Sequence, residues 1–317
     1  MATSSSGGTT RTFLPQPLAV ILLASAATLF AANHIGARIA FDDGAGVPLA
    51  VLLRSLFATL LMSALVLLQR QRLVAPKGGR RWLLGLGLMI AGQSICLYSA
   101  VATIPVAMAL LLMNTWPILL TLLIWLLGGS RPSAGMVAIM AITLCGMVLV
   151  LDVPGWLNRP DTLTGDSLRG AALALTAALC FAVAVWITEN RLSGMNGAVR
   201  SAFTMILITL LMALSGALGL LPGSFQTPAG LDGWLGLAAL MLFYGVASTT
   251  VFVLMPRLNM ARNAPVMNFE TVASLLLAYW VLDQTFDQWQ LLGGTVVFGC
   301  ILWLGVFPPR TVSASRR

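Results

Sequence analysis

The sequence Arg-Ser-Leu-Phe at residues 54–57 recurs as Arg-Ser-Ala-Phe at residues 200–203. Each copy lies near the start of the second long apolar stretch in its half of the chain. A second match follows, since Asn-Thr-Trp-Pro at residues 114–117 corresponds to Asn-Phe-Glu-Thr at residues 268–271. In both halves an apolar run comes next and ends in an aromatic residue. These matches predict that the chain contains an internal repeat.

Apolar stretches fill almost the whole chain. Of its 317 residues, 58% are hydrophobic and 9% are charged, whereas a soluble domain has roughly 25% charged residues. A membrane-spanning helix needs about 20 mostly apolar residues. Ten stretches approach this length, numbered here 1 to 10: residues 18–40, 47–69, 82–103, 106–128, 134–152, 169–190, 198–221, 234–256, 264–282 and 288–307. The sequence predicts an all-α integral membrane protein with ten transmembrane helices.

The ten stretches divide into two sets of five. A unit that crosses the membrane an odd number of times ends on the opposite face, so its copy has to be inverted. The predicted organisation is a polar tail (1–17), a first five-helix repeat (18–152), a periplasmic loop (153–168), a second five-helix repeat (169–307) and a basic tail (308–317). Inverted repeats are common in secondary transporters, which bind substrate near the midplane between the repeats.

The charged residues are sorted between the two ends of the predicted helices. All eight Asp residues lie at or between the ends of helices 1–2, 5–6, 7–8 and 9–10: Asp42, Asp43, Asp152, Asp161, Asp166, Asp232, Asp283 and Asp287. Most Lys and Arg residues occupy the opposite connections and the carboxyl-terminal tail. Short loops rich in Lys and Arg stay cytoplasmic. We therefore expect both termini in the cytoplasm, and a net charge of +8 that reflects topology and anionic lipid rather than nucleic-acid binding.

The sequence contains few of the residue patterns that catalytic sites require. Its four cysteines are dispersed over different predicted helices without a Cys-x-x-Cys pair, and His34 is its single histidine, so neither a disulfide framework nor a metal site is indicated. Phosphate-binding loops, His-Glu-x-x-His motifs and Gly-x-Ser-x-Gly motifs do not occur in it. We expect a protein that is not an enzyme and holds no cofactor, with transport driven by a gradient or a partner subunit.

Polar residues inside predicted helices are candidates for a substrate cavity, because an unpaired polar group is costly in hydrocarbon. Glu270, about six residues into helix 9, can bind a proton or a cationic group, or can form an ion pair that holds helix 9 to a neighbour. Asn114 and Asn268 occupy equivalent positions and can bind substrate or join helices 4 and 9 to neighbouring helices. Pro117, in the middle of helix 4, is predicted to form a kink or hinge.

Other candidates combine amide and aromatic groups. Asn33 and His34 lie in helix 1, where His34 can titrate near neutral pH or remain neutral and bond a facing carbonyl. Further predicted lining residues are Gln93, Tyr98, Trp116, Trp186 and Tyr244, although aromatic residues also serve as interfacial anchors or packing. Arg54 is predicted to reach the outer surface by snorkelling, as a structural anchor, and Arg200 to anchor the inner surface.

Two halves of five helices, each with an Arg early in its second helix, resemble the drug/metabolite transporter superfamily and its EamA-type family. The residues that carry the resemblance are Trp116-Pro117 and Glu270-Thr271 in the fourth helix of each half, with Gln290, Gly293 and Gly299 in the closing helix. The chain departs from the pattern where the family often has Leu-Gly-Glu, since residues 128–130 are Gly-Gly-Ser and residues 282–284 are Leu-Asp-Gln.

The resemblance implies a multi-pass exporter in the bacterial inner membrane. Its cargo would be amino acids, metabolites or drugs, moved by alternating access through a cavity between helices 1, 3, 4, 6, 8 and 9. Aromatic amino acids are the first cargo to test. Expected partners are a small-molecule substrate and membrane lipid, with proton coupling possible and a monomeric or homodimeric assembly. The alternatives are an uncoupled facilitator of the same solutes, an intramembrane enzyme and a non-transporting membrane scaffold.

Overall fold

The computed structural model describes residues 14–71, 78–129, 131–132, 134–150, 165–219, 225–254, 266–267 and 269–306. Within these ranges the structure is helical and contains no strand, as predicted. The helices are α1 (Gln16–Asp42), α2 (Val47–Leu68), α3 (Arg80–Thr103), α4 (Val106–Met113), α5 (Trp116–Leu126), α6 (Ala134–Val150), α7 (Gly165–Arg191), α8 (Gly197–Ala217), α9 (Leu231–Leu254), α10 (Phe269–Leu282) and α11 (Gln288–Val306).

Many of these helices are long and apolar enough to cross a bilayer. In the described ranges seven segments meet that criterion: α1, α2, α3, α4 with α5, α7, α8 and the part of α9 from Leu231 to Val251. Shorter apolar helical stretches run over Val137–Gly146 and Phe269–Leu282. The protein is therefore a multi-pass membrane protein. Ten crossings and two cytoplasmic termini remain predictions.

Predicted helix 4 is divided into two helices. α4 ends at Met113, and Asn114 and Thr115 form a turn before α5 begins at Trp116. Pro117 lies in the first turn of α5, where the missing N–H of a proline is tolerated, because the first backbone donors of a helix have no intrahelical partner. A proline also clashes with the carbonyl four residues before it, here that of Met113, so the interruption lies where a kink caused by Pro117 is expected. A hinge role for Pro117 stays a prediction.

The helix that carries Glu270 begins later than the sequence predicts. α10 starts at Phe269, so Glu270 lies in its first turn rather than about six residues inside it. A carboxylate in the first turn interacts favourably with the positive end of the helix dipole. Because α5 starts two residues after Asn114 and α10 starts one residue after Asn268, the two halves begin these helices at nearly equivalent positions.

The two halves pack through equivalent pairs of helices. α1 packs against α9, and the equivalent pair, α7 with α3, also packs together. α1 also packs against α10, and the equivalent contact is that of α7 with α4 and α5. Three further pairs join equivalent helices directly: α2 with α8, α6 with α11, and α4 with α10. Exchanging each helix for its counterpart in the other half therefore reproduces these pairs. The internal repeat is thus a repeat of packing as well as of sequence.

Small residues allow these helices to approach closely. A Cβ atom on Gly36 of α1 would lie 2.8 Å from the carbonyl oxygen of Gly236 in α9, and one on Gly236 would lie 2.6 Å from the carbonyl oxygen of Gly36. Buried alanines fill much of the interior of α1 and α7, whereas leucines such as Leu60 and Leu68 remain exposed on the outside. Close approach of small residues is typical of helix packing in membranes.

The connections that carry Asp42 and Asp43 are tied to those of the second half. Asp43 accepts hydrogen bonds from the backbone N–H groups of Gly230, at 2.7 Å, and Ala229, at 3.0 Å. Arg38 pairs with Asp42 at 2.9 Å and also donates to the Val101 carbonyl oxygen at 3.1 Å. The loop after α1, the loop before α9 and the end of α3 are therefore held together at this end.

Candidate functional site

Polar side chains from both halves of the chain meet inside the helix bundle. Asn33 and His34 come from α1, Arg54 from α2, Ser94 and Tyr98 from α3, Tyr244 from α9 and Glu270 from α10, and we call this set the interior cluster. Asn33, His34, Arg54, Ser94 and Tyr98 are each at most 6% exposed. Five of the predicted site residues thus lie together: Asn33, His34, Tyr98, Tyr244 and Glu270.

Tyr98 is the centre of the hydrogen-bond network. Its hydroxyl donates to Asn33 Oδ1 at 2.6 Å and accepts from an Arg54 terminal nitrogen at 3.3 Å. Asn33 in turn donates to the Phe30 carbonyl oxygen. These bonds point in one direction from Arg54 to the backbone of α1, and bonds arranged in such a chain strengthen one another. The network fixes the relative positions of α1, α2 and α3.

Arg54 is part of the interior cluster, and its predicted position at the outer surface is wrong. Its guanidinium donates to Ser94 Oγ at 2.8 Å and lies over the rings of Tyr98, at 5.0 Å, and Tyr244, at 4.2 Å. The reason is the face of α2 on which it lies, since the buried residues Val51 and Ala58 share that face. The corresponding Arg200 is only partly buried and donates to the Leu192 carbonyl oxygen at 3.5 Å.

The titratable pair of the interior cluster is His34 and Glu270. His34 Nε2 lies 3.5 Å from Glu270 Oε1, and the Glu270 side chain is 26% exposed. The His34 imidazole therefore contacts a carboxylate. From the sequence we had favoured a hydrogen bond to a backbone carbonyl. The contact between His34 and Glu270 joins α1 to the first turn of α10, as the ion-pair alternative for Glu270 expects.

Two predicted residues lie beside the interior cluster. Gln93 accepts a hydrogen bond from Ser94 Oγ at 3.4 Å. Asn114 donates to Thr271 Oγ1 and to the Leu110 carbonyl oxygen, both at 2.9 Å. Since Thr271 directly follows Glu270, this amide links the interruption between α4 and α5 to the start of α10. The bond corresponds to the helix-joining alternative for Asn114.

The remaining predicted residues lie elsewhere. Trp116 packs edge-on against Phe181, with ring centroids 5.1 Å apart. Trp186 contacts Trp82 at 6.1 Å and lies 5.6 Å from the Arg191 guanidinium, where the start of α3 meets the end of α7. Neither of these two ring contacts involves a residue of the interior cluster. Pro117 lies in the first turn of α5, and Asn268 falls outside the described residues.

A cavity of about 200 Å³ lies between α4, α10 and α11. Its lining is mainly apolar, with Gln290 and Thr295 as polar members. Among the described residues that line it, none belongs to the predicted site. The interior cluster is instead closely packed, so a solute could reach it only after the surrounding helices separate.

A sequence profile of the EamA-like transporter family matches the chain twice, over residues 17–152 and residues 168–306. The chain belongs to the EamA-like transporter family. The predicted resemblance is thereby confirmed, and the two matches show that the EamA repeat occurs in each half. Membership in this family indicates a membrane transporter rather than an enzyme.

Structural comparison gives the same architecture. One crystal structure matches the EamA-like chain with a TM-score of 0.60 at 21% sequence identity, covering 92% of this chain and 98% of the other. At this identity the match shows the fold alone. No curated protein matches the sequence.

Proposed function

We propose that this EamA-like protein is a secondary transporter that moves a small organic solute by alternating access, with the interior cluster as its substrate-binding region. The observation that carries the proposal is the meeting of Asn33, Arg54 and Tyr98 from the first half with Tyr244 and Glu270 from the second. Buried polar groups inside membrane proteins commonly mark solute or ion pathways.

The repeat provides a physical route for alternating access. α9 and α10 of the second half close over α1, α2 and α3 of the first half, so a rocking motion between the halves would uncover the interior cluster. Secondary transporters with inverted repeats move in this way around a fixed site. We further propose export across the bacterial inner membrane, by a monomer or homodimer, with amino acids, metabolites or drugs as cargo.

Aromatic amino acids are the first cargo to test, because the rings of Phe30, Tyr98 and Tyr244 surround the polar groups. Phe30 and Tyr244 meet edge-on at 5.8 Å, and His34 lies 5.4 Å from the Tyr98 ring. Aromatic side chains favour offset or edge-on contact with one another. A ring on the solute would therefore find matching partners beside the amide and charged groups.

The test is transport by purified protein in liposomes, using a panel of radiolabelled amino acids that includes phenylalanine. We expect wild-type protein to move at least one member faster than empty liposomes do. Tyr98→Phe should slow this transport at least tenfold, because it removes the hydroxyl between Arg54 and Asn33. Thr176→Ala is the control, since Thr176 is exposed and bonds only its own helix. Equal rates for Tyr98→Phe and wild type would contradict the proposed site.

A further inference from the structure

Arg54 is a buried cation for which the described residues supply no carboxylate partner. Its side chain belongs to a residue that is 6% exposed, and a guanidinium stays protonated in proteins. In the parts of the chain that the structure describes, no Asp or Glu oxygen lies within 4.0 Å of it. The acid of the interior cluster, Glu270, lies against His34 instead. Arg54 therefore lacks the paired anion that a buried charge normally has.

Neutral groups hold the guanidinium in place. One terminal nitrogen donates to Ser94 Oγ, the other donates to the Tyr98 hydroxyl, and the Tyr98 and Tyr244 rings flank the cation. Cation–π contacts offset part of the cost of removing the guanidinium from water. None of these groups carries a negative charge. They orient Arg54 without neutralising it.

Two buried nitrogen atoms beside Tyr98 have no hydrogen-bond partner among the residues that the structure describes. They are Arg54 Nε and His34 Nδ1. Buried polar atoms without a partner are rare in native proteins. The Nε atom of arginine forms, with the neighbouring terminal nitrogen, a planar edge whose two donors match the two oxygens of a carboxylate. Arg54 thus has an unused Nε donor on an edge of this shape.

We propose that Arg54 binds the carboxylate of the transported solute, so that the substrates are monocarboxylates; this inference rests on the proposed transport function. A single carboxylate matches the one permanent cation of the interior cluster, Arg54. The two negative charges of a phosphate dianion would exceed the charge of this one cation. An amine without a carboxylate would leave Arg54 uncompensated.

The test is competition for labelled phenylalanine with the wild-type protein in nanodiscs, using two matched competitors. 3-Phenylpropionate keeps the ring and the carboxylate, whereas phenethylamine keeps the ring and the amine. We expect 3-phenylpropionate to displace phenylalanine at concentrations at least tenfold lower than phenethylamine. Equal displacement by both competitors, or no displaceable phenylalanine binding at all, would overturn the carboxylate inference.

Variants of Arg54 supply a second readout. Arg54→Gln should weaken phenylalanine binding at least tenfold, and Arg54→Lys should retain part of it, because lysine keeps the charge but not the planar fork. Arg81→Gln is the matched control, since Arg81 is exposed. Unchanged affinity in Arg54→Gln would also overturn the inference. The wild-type competition does not depend on whether these variants fold.

The two proposals fail in different ways. Radiolabelled phenethylamine, added to the panel, separates them. If proteoliposomes transport phenethylamine but no amino acid, the transport function stands and the assignment of Arg54 is wrong. If no member of the labelled panel crosses the membrane faster than in empty liposomes, the proposed function itself is wrong.

Discussion

At the scale of single residues, Tyr98 connects the charged parts of the interior cluster. Its hydroxyl bonds Asn33 and Arg54, and its ring lies beside His34, which contacts Glu270. Leaving one buried partner unsatisfied costs about 1–3 kcal/mol, so loss of this hydroxyl affects several residues at once.

The role of Glu270 can be tested by the pH dependence of transport. Glutamine at position 270 keeps the size of the side chain but cannot ionise, so it imitates the protonated acid at every pH. We expect the wild-type rate to change with pH, because proton coupling requires Glu270 to bind and release a proton in each transport cycle. Glu270→Gln should flatten this profile and hold the rate near the value that wild type shows at low pH.

The matched control for this test is Glu189→Gln, because Glu189 is exposed on α7. It should leave the profile unchanged. Identical profiles for wild type and Glu270→Gln would mean that Glu270 only holds α10 against α1. That result would favour the uncoupled facilitator over a proton-coupled transporter.

At the scale of helices, the crossing of α1 and α9 depends on two glycines. Gly36 and Gly236 bring the backbones into contact, with no room for a Cβ atom on either residue. This crossing positions α1, which carries Asn33 and His34, against α9, which carries Tyr244. The geometry of the interior cluster therefore depends on residues that have no side chain.

Gly36→Ala tests this crossing. The added Cβ would lie 2.8 Å from the Gly236 carbonyl oxygen and 3.0 Å from the Leu240 backbone nitrogen, and backbone atoms cannot move aside cheaply. Overpacking of this kind costs about 1–3 kcal/mol, so we expect a lower Tm for the detergent-purified protein. Gly299→Ala is the control, because no atom lies near its added Cβ. A Tm unchanged from wild type would show that α1 and α9 separate easily.

The helices also show what the sequence could predict. Length and hydropathy were sufficient for the stretches now seen as α1, α2 and α3, because any long apolar segment forms a helix in a membrane. They could not show the interruption at Asn114 and Thr115 or the late start of α10, because a short break changes neither the length nor the mean hydropathy of an apolar stretch. Pro117 was the signal for the break, which lies in the turn before it.

At the scale of the whole molecule, the repeat predicted the packing of the two halves better than the roles of individual residues. Arg54 and Arg200 are equivalent in sequence, yet Arg54 is buried in the interior cluster and Arg200 lies in the first turn of α8. In a helix that is apolar on all sides, the pattern does not reveal which face is buried. The sequence therefore identified His34 and Glu270 as polar residues inside predicted helices, which are unusual in a membrane. It did not show that Arg54 lies on the buried face of α2.

Side-chain contacts join helices at both ends of the bundle. At one end, Asp43 and Arg38 form hydrogen bonds to neighbouring loops and helices. At the other end, the Trp82 ring contacts the Trp186 ring and the Arg191 guanidinium. The interior cluster lies between these two sets of contacts. Alternating access requires that each end opens in turn, while the Asp-rich and Arg-rich ends stay on opposite faces of the membrane.

The most direct test of the account is the accessibility of position 94 from the two faces of the membrane. Ser94→Cys places a thiol of similar size in the interior cluster, in a protein whose four cysteines, Cys96, Cys145, Cys180 and Cys300, are replaced by alanine. Labelling with a membrane-impermeant maleimide is then compared in right-side-out and inside-out vesicles. Thr227→Cys and Ser193→Cys, both at exposed positions near opposite helix ends, serve as controls.

The controls should each react in one kind of vesicle only, Thr227→Cys in one and Ser193→Cys in the other. If access alternates, we expect Ser94→Cys to react in both kinds, because the interior cluster then opens to each face in turn. Reaction of Ser94→Cys from a single face, or from neither, while both controls react as expected, would contradict it.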